Sequence, residues 1–268
     1  MATFAEKYGP WALITGASEG TGAEFARALA GEGLNLVLIA RREGPLAELA
    51  EEIRGKGVEC VTASADLTAP DAAAQVIAAA GAHDLGLFIA NAGADTNGSR
   101  FLDRPIASWD ALVAMNVTTT MHLAHHFGQT MRARGRGGMI LVGSGACYGG
   151  LNGIAVYSAA KAFVMNLAEA LWAELRHDNV DVLNLILGRT DTPAHRKILE
   201  ESGQPVPDNL ASPVDVARVG LEQLPHGPLY NWGQTNDVAG YAPNSPDVRR
   251  ARIVMIEEMS AAYAGVKE

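Results

Sequence analysis

Trp11-Ala12-Leu13-Ile14-Thr15 runs directly into Gly16-Ala17-Ser18-Glu19-Gly20-Thr21-Gly22, and the next stretch, Phe25 to Ala30, is apolar at helical spacing. A short apolar run that passes through three glycines into a helix reads as strand, tight turn, helix. Glycine lets the backbone turn sharply there and come close to a ligand. The N–H groups and positive dipole end of the following helix favour an anion, and a pyrophosphate fits both. The spacing is Gly-xxx-Gly-x-Gly, not the more common G-x-G-x-x-G, so a purely packing role for the glycines stands as the alternative.

The same alternation continues outward from this turn. Asn35 to Ala40 and Glu59 to Ser64 read as the next strands, with a helix opened by Pro45 and running to about Arg54 between them. Thr68 and Asp71 read as a capping pair for an Ala72 to Ala80 helix. Leu85 to Ala90, Met139 to Gly143 and Val182 to Leu187 are further apolar runs of strand length, separated by helical stretches over Trp109 to Arg134 and Tyr157 to His177. Near-continuous apolar strands alternating with helices mean a parallel sheet covered on both faces. The expected fold class is therefore α/β: a Rossmann-like doubly wound parallel sheet in one domain spanning 1–268. Its cofactor half is expected at 10–140 and its catalytic and substrate half at 141–268. The Pro-containing excursion from Asp191 to Ser212, with a short helix at Ala194 to Glu201, reads as a lid. A last helix-like segment runs from Val248 to Ala264.

The end of the second strand sharpens the ligand. In dinucleotide folds an acidic residue there binds the ribose 2′-hydroxyl. Here Ala40 is followed by Arg41 and Arg42, and two guanidinium groups in place of a carboxylate suit a 2′-phosphate, hence NADP(H) rather than NAD.

Further along come Asn91-Ala92-Gly93, Asn116, Ser144 and Tyr157-Ser-Ala-Ala-Lys161. Together with the glycine turn, over residues 10 to 195 and in this order, the set resembles the short-chain dehydrogenase/reductase superfamily. The resemblance implies Tyr157 as acid/base, Ser144 orienting the substrate carbonyl, Lys161 also holding the nicotinamide ribose, and Asn116 linking Lys161 to a water-borne proton path. It implies cofactor contacts from Gly16, Ser18, Gly20 and Gly22, from Arg41 and Arg42, and from Asp66 and Leu67 at the adenine. Asn91, Gly93, Gly188, Thr190 and Thr192 complete that set, with Tyr157 and Lys161. Physically, residues four apart share one helix face, and a cation beside a phenol of pKa near 10 is expected to favour its phenolate. Two departures stand out: Leu187 precedes Gly188 where the family usually has proline, and Gly227 to Gly233 replaces the usual glycine-rich end of the seventh strand.

The expected activity is hydride transfer between NADP(H) and a ketone or secondary alcohol. The alternatives are an NADP-binding sensor of the same fold and a nucleotide-sugar dehydratase or epimerase, for whose larger substrate domain 268 residues leave little room. The pocket is expected between Asp95 to Ser99, Gly145 to Ile154 and the 191–212 excursion. Ala146, Leu151 and Ile154 there point to an apolar substrate. Ser144 lacks the G-x-S-x-G elbow of a serine hydrolase. Cys60 and Cys147 form no CxxC and no disulfide framework, and Cys147 reads as a small buried apolar residue. His122, His125 and His126 share helical spacing without a fourth ligand, so no metal is expected. His195 reads as solvated. Thirty acidic against twenty-one basic residues, a net charge of −9, disfavour nucleic acid and anionic membranes. No run approaches a membrane span, and Met1 to Pro10 lacks a signal-peptide pattern. A cytoplasmic homodimer or homotetramer is expected, with Trp172 on the long helix serving subunit packing.

Overall fold

The computed structural model describes residues 3–95, 97–201, 203, 205–232, 246–248, 250–251 and 254. Seven parallel strands form one sheet: β1 (Trp11–Thr15), β2 (Asn35–Ala40), β3 (Cys60–Ser64), β4 (Leu85–Ala90), β5 (Gly137–Ser144), β6 (Val180–Leu187) and β7 (Leu229–Asn231). Their spatial order is β3-β2-β1-β4-β5-β6-β7. The helices are α1 (Phe4–Tyr8), α2 (Gly20–Gly31), α3 (Glu43–Arg54), α4 (Ala72–Ala80), α5 (Ile106–Val113), α6 (Thr119–Arg134), α7 (Ala155–Leu175), α8 (Pro193–Glu201) and α9 (Pro213–Gln223).

Successive strand side chains point to opposite faces, and the core divides accordingly. Ile14, Leu36, Leu38, Ile89, Val142 and Leu185 pack beneath α2, α3 and α9. Leu13, Val37, Ile39, Phe88, Leu141 and Val182 pack beneath α4, α6 and α7. Both faces are covered, which is why these strands carry almost no polar residue. The buried polar residues of the described strands are Thr15, Asn184 and Asn231; Asn184, fully buried in β6, donates from Nδ2 to the Leu141 carbonyl at 2.7 Å.

The chain winds outward from β1 to β3, then crosses back to β4 on the other side of β1. The order therefore reverses between β1 and β4, and the crevice beyond the carboxyl ends of these two strands is where such sheets bind ligands. Ser144 pairs with Leu187 at the ends of β5 and β6. Leucine donates to a ladder where proline cannot, and β6 here runs to residue 187.

Two local expectations change. The helix expected over Trp109 to Arg134 is two helices joined by a π-helical turn, Ala114–Thr118, in which the Thr119 N–H reaches back to the Ala114 carbonyl. Thr68 and Asp71 form no capping pair. Asp71 caps α4 without a side-chain bond, and Asp66 instead accepts from the Thr68 N–H at 3.0 Å and hydroxyl at 2.8 Å. Trp172 is half-buried against the core, with the Arg176 guanidinium 4.8 Å from its ring centroid. The helix expected from Val248 to Ala264 lies for the most part outside the described residues, as does Gly233.

Candidate active site

The glycine turn sits at the switch point. Gly16 and Gly20 have φ of +68° and +56°, a region that side-chain-bearing residues avoid. A Cβ on Gly22 would lie 2.2 Å from the Gly16 carbonyl oxygen. Asn91, at the end of β4, holds the turn from the other side, donating from Nδ2 to the carbonyls of Thr15 at 3.2 Å and Gly16 at 3.0 Å. The Ala92 N–H donates to the Thr15 hydroxyl at 3.3 Å. No side chain caps the first turn of α2. Ser18 is half-buried in the same turn.

At the end of β2, Arg41 and Arg42 are both exposed. Arg42 pairs with Glu19 of the glycine turn at 2.5 Å. Such a surface pair is worth about 0–1 kcal/mol, so a phosphate competes with it readily. Asp66 is exposed, and its hydrogen bonds from Thr68 hold its carboxyl below the usual range. Leu67 is buried, and its carbonyl accepts from the Thr119 hydroxyl at 3.0 Å.

Four chemistry-bearing side chains converge where β4 and β5 end. Lys161, fully buried in α7, donates from Nζ to the Val142 carbonyl at 3.1 Å. Its Nζ lies 5.6 Å from the Tyr157 ring centroid, one helical turn away. Asn116 is buried in the π-helical turn, where Nδ2 donates to the carbonyls of Leu112 at 3.1 Å and Ala94 at 3.4 Å. Gly93 separates the two: a Cβ there would stand 2.6 Å from Asn116 Oδ1 and 3.0 Å from Lys161 Nζ. The Ser144 hydroxyl accepts from the Ala146 N–H at 3.3 Å and hydrogen-bonds Tyr157.

Electrostatically the pair departs from expectation. Burial pushes the Tyr157 phenol up, and the hydrogen bond from Ser144 opposes this only in part; Asp95 and Cys147 push it further up. Burial also pulls the Lys161 ammonium down to about 8. Burial of the phenol thus works against the anticipated preference for phenolate.

The loop after β6 closes the other side. Gly188 has open space around its Cα, and Thr192 packs its methyl group 2.9 Å from where a Gly20 Cβ would be. Thr190 bridges Ala211 at the base of the 191–212 excursion. The His195 N–H donates to the Thr192 hydroxyl at 3.2 Å. His195 is half-buried, not solvated, and its Nε2 and the Thr190 hydroxyl are buried without a protein partner. Two orphaned polar atoms beside an uncapped helix start and a glycine cradle fit a polar, phosphate-bearing ligand. Cys147 is buried, 3.5 Å from the Met165 sulfur. His122 and His125 are exposed on α6, and His126 is half-buried edge-on to Phe127. At the far wall, the Tyr148 hydroxyl donates to Asn231 Oδ1 of β7 at 2.5 Å.

A doubly wound sheet with this glycine turn and this tyrosine–lysine–serine cluster defines a dinucleotide-dependent class of protein, and comparison with known proteins agrees. A family model described as short chain dehydrogenase matches residues 10–203. A 7beta-hydroxysteroid dehydrogenase of Mediterraneibacter gnavus is 35% identical over 227 residues, 83% of this chain and 85% of that protein. A solved structure described as giving insights into 7beta-hydroxysteroid dehydrogenase stereoselectivity superposes with a TM-score of 0.81 at 31% identity, covering 94% of this chain and 99% of the other. A short-chain dehydrogenase from Sphingobium yanoikuyae in complex with NADPH gives 0.79 at 27% identity, covering 92% and 95%. The chain belongs to the short-chain dehydrogenase family. Among the described residues, no helix is long and apolar enough to cross a membrane.

Proposed function

We propose that this protein is an NADP(H)-dependent oxidoreductase that reduces a bulky, largely apolar ketone to a secondary alcohol. The convergence of Ser144, Tyr157, Lys161 and Asn116 beside the glycine turn carries this reading. The 35% identity to a hydroxysteroid dehydrogenase supports an alicyclic substrate. Gly16, Ser18, Gly20 and Gly22 would receive the pyrophosphate, Arg41 and Arg42 the 2′-phosphate, and Asp66 and Leu67 the adenine. Asn91 and Gly93 would line the adenosine side and Lys161 the nicotinamide ribose, while Gly188, Thr190 and Thr192 flank the nicotinamide. When bound, the cofactor supplies the hydride.

The chain's own residues handle the oxygen and the proton. Ser144 donates a hydrogen bond to the substrate oxygen as it gains charge. Tyr157 donates its phenolic proton to that oxygen. A phenol held above its ordinary range is protonated at neutral pH, the form a donor needs. Reduction is thus favoured at neutral pH, whereas oxidation needs the phenolate and rises toward alkaline pH. Lys161 and Asn116, meeting at Gly93, return the proton to Tyr157. The 191–212 excursion serves as a lid over the second half of the domain. Exposed Ile106, Val113, Met121 and Phe163 on α5, α6 and α7 support a homo-oligomer, and a cytoplasmic location completes the reading. A sensor without turnover has no need of all three of Ser144, Tyr157 and Lys161.

The test is NADPH-absorbance decay with a panel of alicyclic and aryl ketones. Tyr157→Phe should lower kcat at least a hundredfold, about 10²–10⁴ for a lost general acid, while NADPH binding by fluorescence stays unchanged. Full turnover in that variant would defeat the reading.

A further inference from the structure

The loop after β4 holds a carboxylate that neither the fold nor the proton path uses. Asp95 spends one oxygen on the loop itself: Oδ1 accepts from the N–H groups of Asn97 at 2.9 Å and Gly98 at 3.1 Å. Its other oxygen, Oδ2, is buried without a partner in the protein. A buried, unpaired carboxylate oxygen is costly to keep, so its place in the molecule matters. Asp95 follows directly on Ala94, whose carbonyl accepts from Asn116. It also lies within electrostatic reach of the Tyr157 hydroxyl. The titratable groups acting on that hydroxyl are Asp95 from the β4 loop and Cys147 from the turn after β5, with the Ser144 hydroxyl bonded to it, while the Lys161 ammonium of α7 lies 5.6 Å from the ring centroid.

We propose that Asp95 sets the charge class of the substrate: its carboxylate, fixed in the loop two residues after Gly93, excludes oxoacids with a carboxylate next to the reacting carbonyl. This rests on the ketone-reductase reading above and narrows it to uncharged ketones. A negative charge in a pocket of low dielectric repels a second one strongly. The same charge helps keep Tyr157 in its protonated, donating form.

Asp95→Asn separates charge from loop structure, since the asparagine Oδ1 accepts from Asn97 and Gly98 as before and only the free oxygen becomes an amide. Binding of benzoylformate and of methyl benzoylformate is measured by calorimetry in NADPH-saturated Tyr157→Phe protein, with and without Asp95→Asn, so that no turnover interferes. The ester should bind Tyr157→Phe better than the acid does, and Asp95→Asn should raise the affinity of the acid relative to the ester about tenfold. In parallel, the ultraviolet phenolate titration of Tyr157, isolated by subtracting the matched Tyr157→Phe protein, should move to lower pH in Asp95→Asn. An unaltered acid-to-ester ratio, an unmoved titration, or no binding of either compound overturns the assignment. Failure of the wild-type protein to reduce the methyl ester or any other ketone counts against the functional reading instead, and leaves these binding and titration results to decide the role of Asp95 by themselves.

Discussion

Lys161 shows what a residue proposed for proton return costs the molecule that carries it. Its ammonium is removed from water with one carbonyl, that of Val142, as hydrogen-bond partner in the protein. Its pKa falls from an ordinary 10.5 to about 8. The sign follows from linkage: the unfolded chain binds the proton more tightly than the folded one does, so stability rises with pH where the two states differ. The penalty is full below pH 8, shrinks between 8 and 10.5, and is gone above that range. At about 1.4 kcal/mol per pKa unit the penalty at neutral pH is roughly 3 kcal/mol. Lys161→Met, similar in volume and uncharged, should therefore stabilise the protein at pH 7 by about 2 kcal/mol, after roughly 1 kcal/mol is subtracted for the donor lost at Val142. Urea unfolding at pH 7 and above pH 10.5 checks this, with the gain disappearing at the higher pH and activity lost at both. A variant that is less stable at pH 7 would mean that the ammonium holds the site together more than it strains it.

At the scale of elements, the unit that matters is strand, glycine turn and helix, locked to β4 by Asn91. A methyl group on Gly22 would collide with the Gly16 carbonyl and come within 2.6 Å of Asn91 Nδ2; the first is backbone, and the second is held by hydrogen bonds to two carbonyls. Gly22→Ala should therefore lower stability by about 1–3 kcal/mol, as overpacking generally does. It should also weaken NADPH binding beyond detection by fluorescence titration at ordinary concentrations; unchanged binding would mean that the turn bends without losing its shape. This unit was readable from sequence because three glycines between a strand and a helix carry their physical reason with them. The first six strands were readable for a similar reason, since buried parallel strands cannot hide their apolar runs, whereas their spatial order came from the structure. Other features depend on contacts that no local pattern announces. The π-helical turn around Asn116 rests on one backbone bond displaced by a residue, and helical periodicity passes over it. Asp95 read as part of a pocket loop and His195 as solvated, and their orphaned atoms are visible only once the neighbouring elements are assembled. For Tyr157 the expected direction of the shift and that in the folded chain differ, because burial of the phenol is the largest influence on it.

For the whole molecule, the crevice between β1 and β4 joins residues from the first turn of the chain to those beyond β6. Thr192 touching Gly20 is the contact by which the excursion reaches the glycine turn. A ligand held along this line restrains both halves of the sheet, so it should act on global unfolding, not on one loop. At 100 times its dissociation constant, NADPH is expected to stabilise the fold by about 2.7 kcal/mol, or about 5–10 °C in Tm for a chain of this size. The 2′-phosphate provides the internal control. Arg42 is already engaged with Glu19, whereas Arg41 makes no such ion pair among the described residues. Arg41→Ala should cost about tenfold in NADPH affinity, a charge-assisted hydrogen bond being worth about 1.5–3 kcal/mol. At fixed NADPH its Tm gain should drop by about 3–5 °C, while the smaller gain from NADH stays as it was. Differential scanning calorimetry of both proteins with each nucleotide decides this. Equal losses with NADPH and NADH would place Arg41 away from the phosphate and shift the discrimination to Arg42, released from Glu19 when the nucleotide binds.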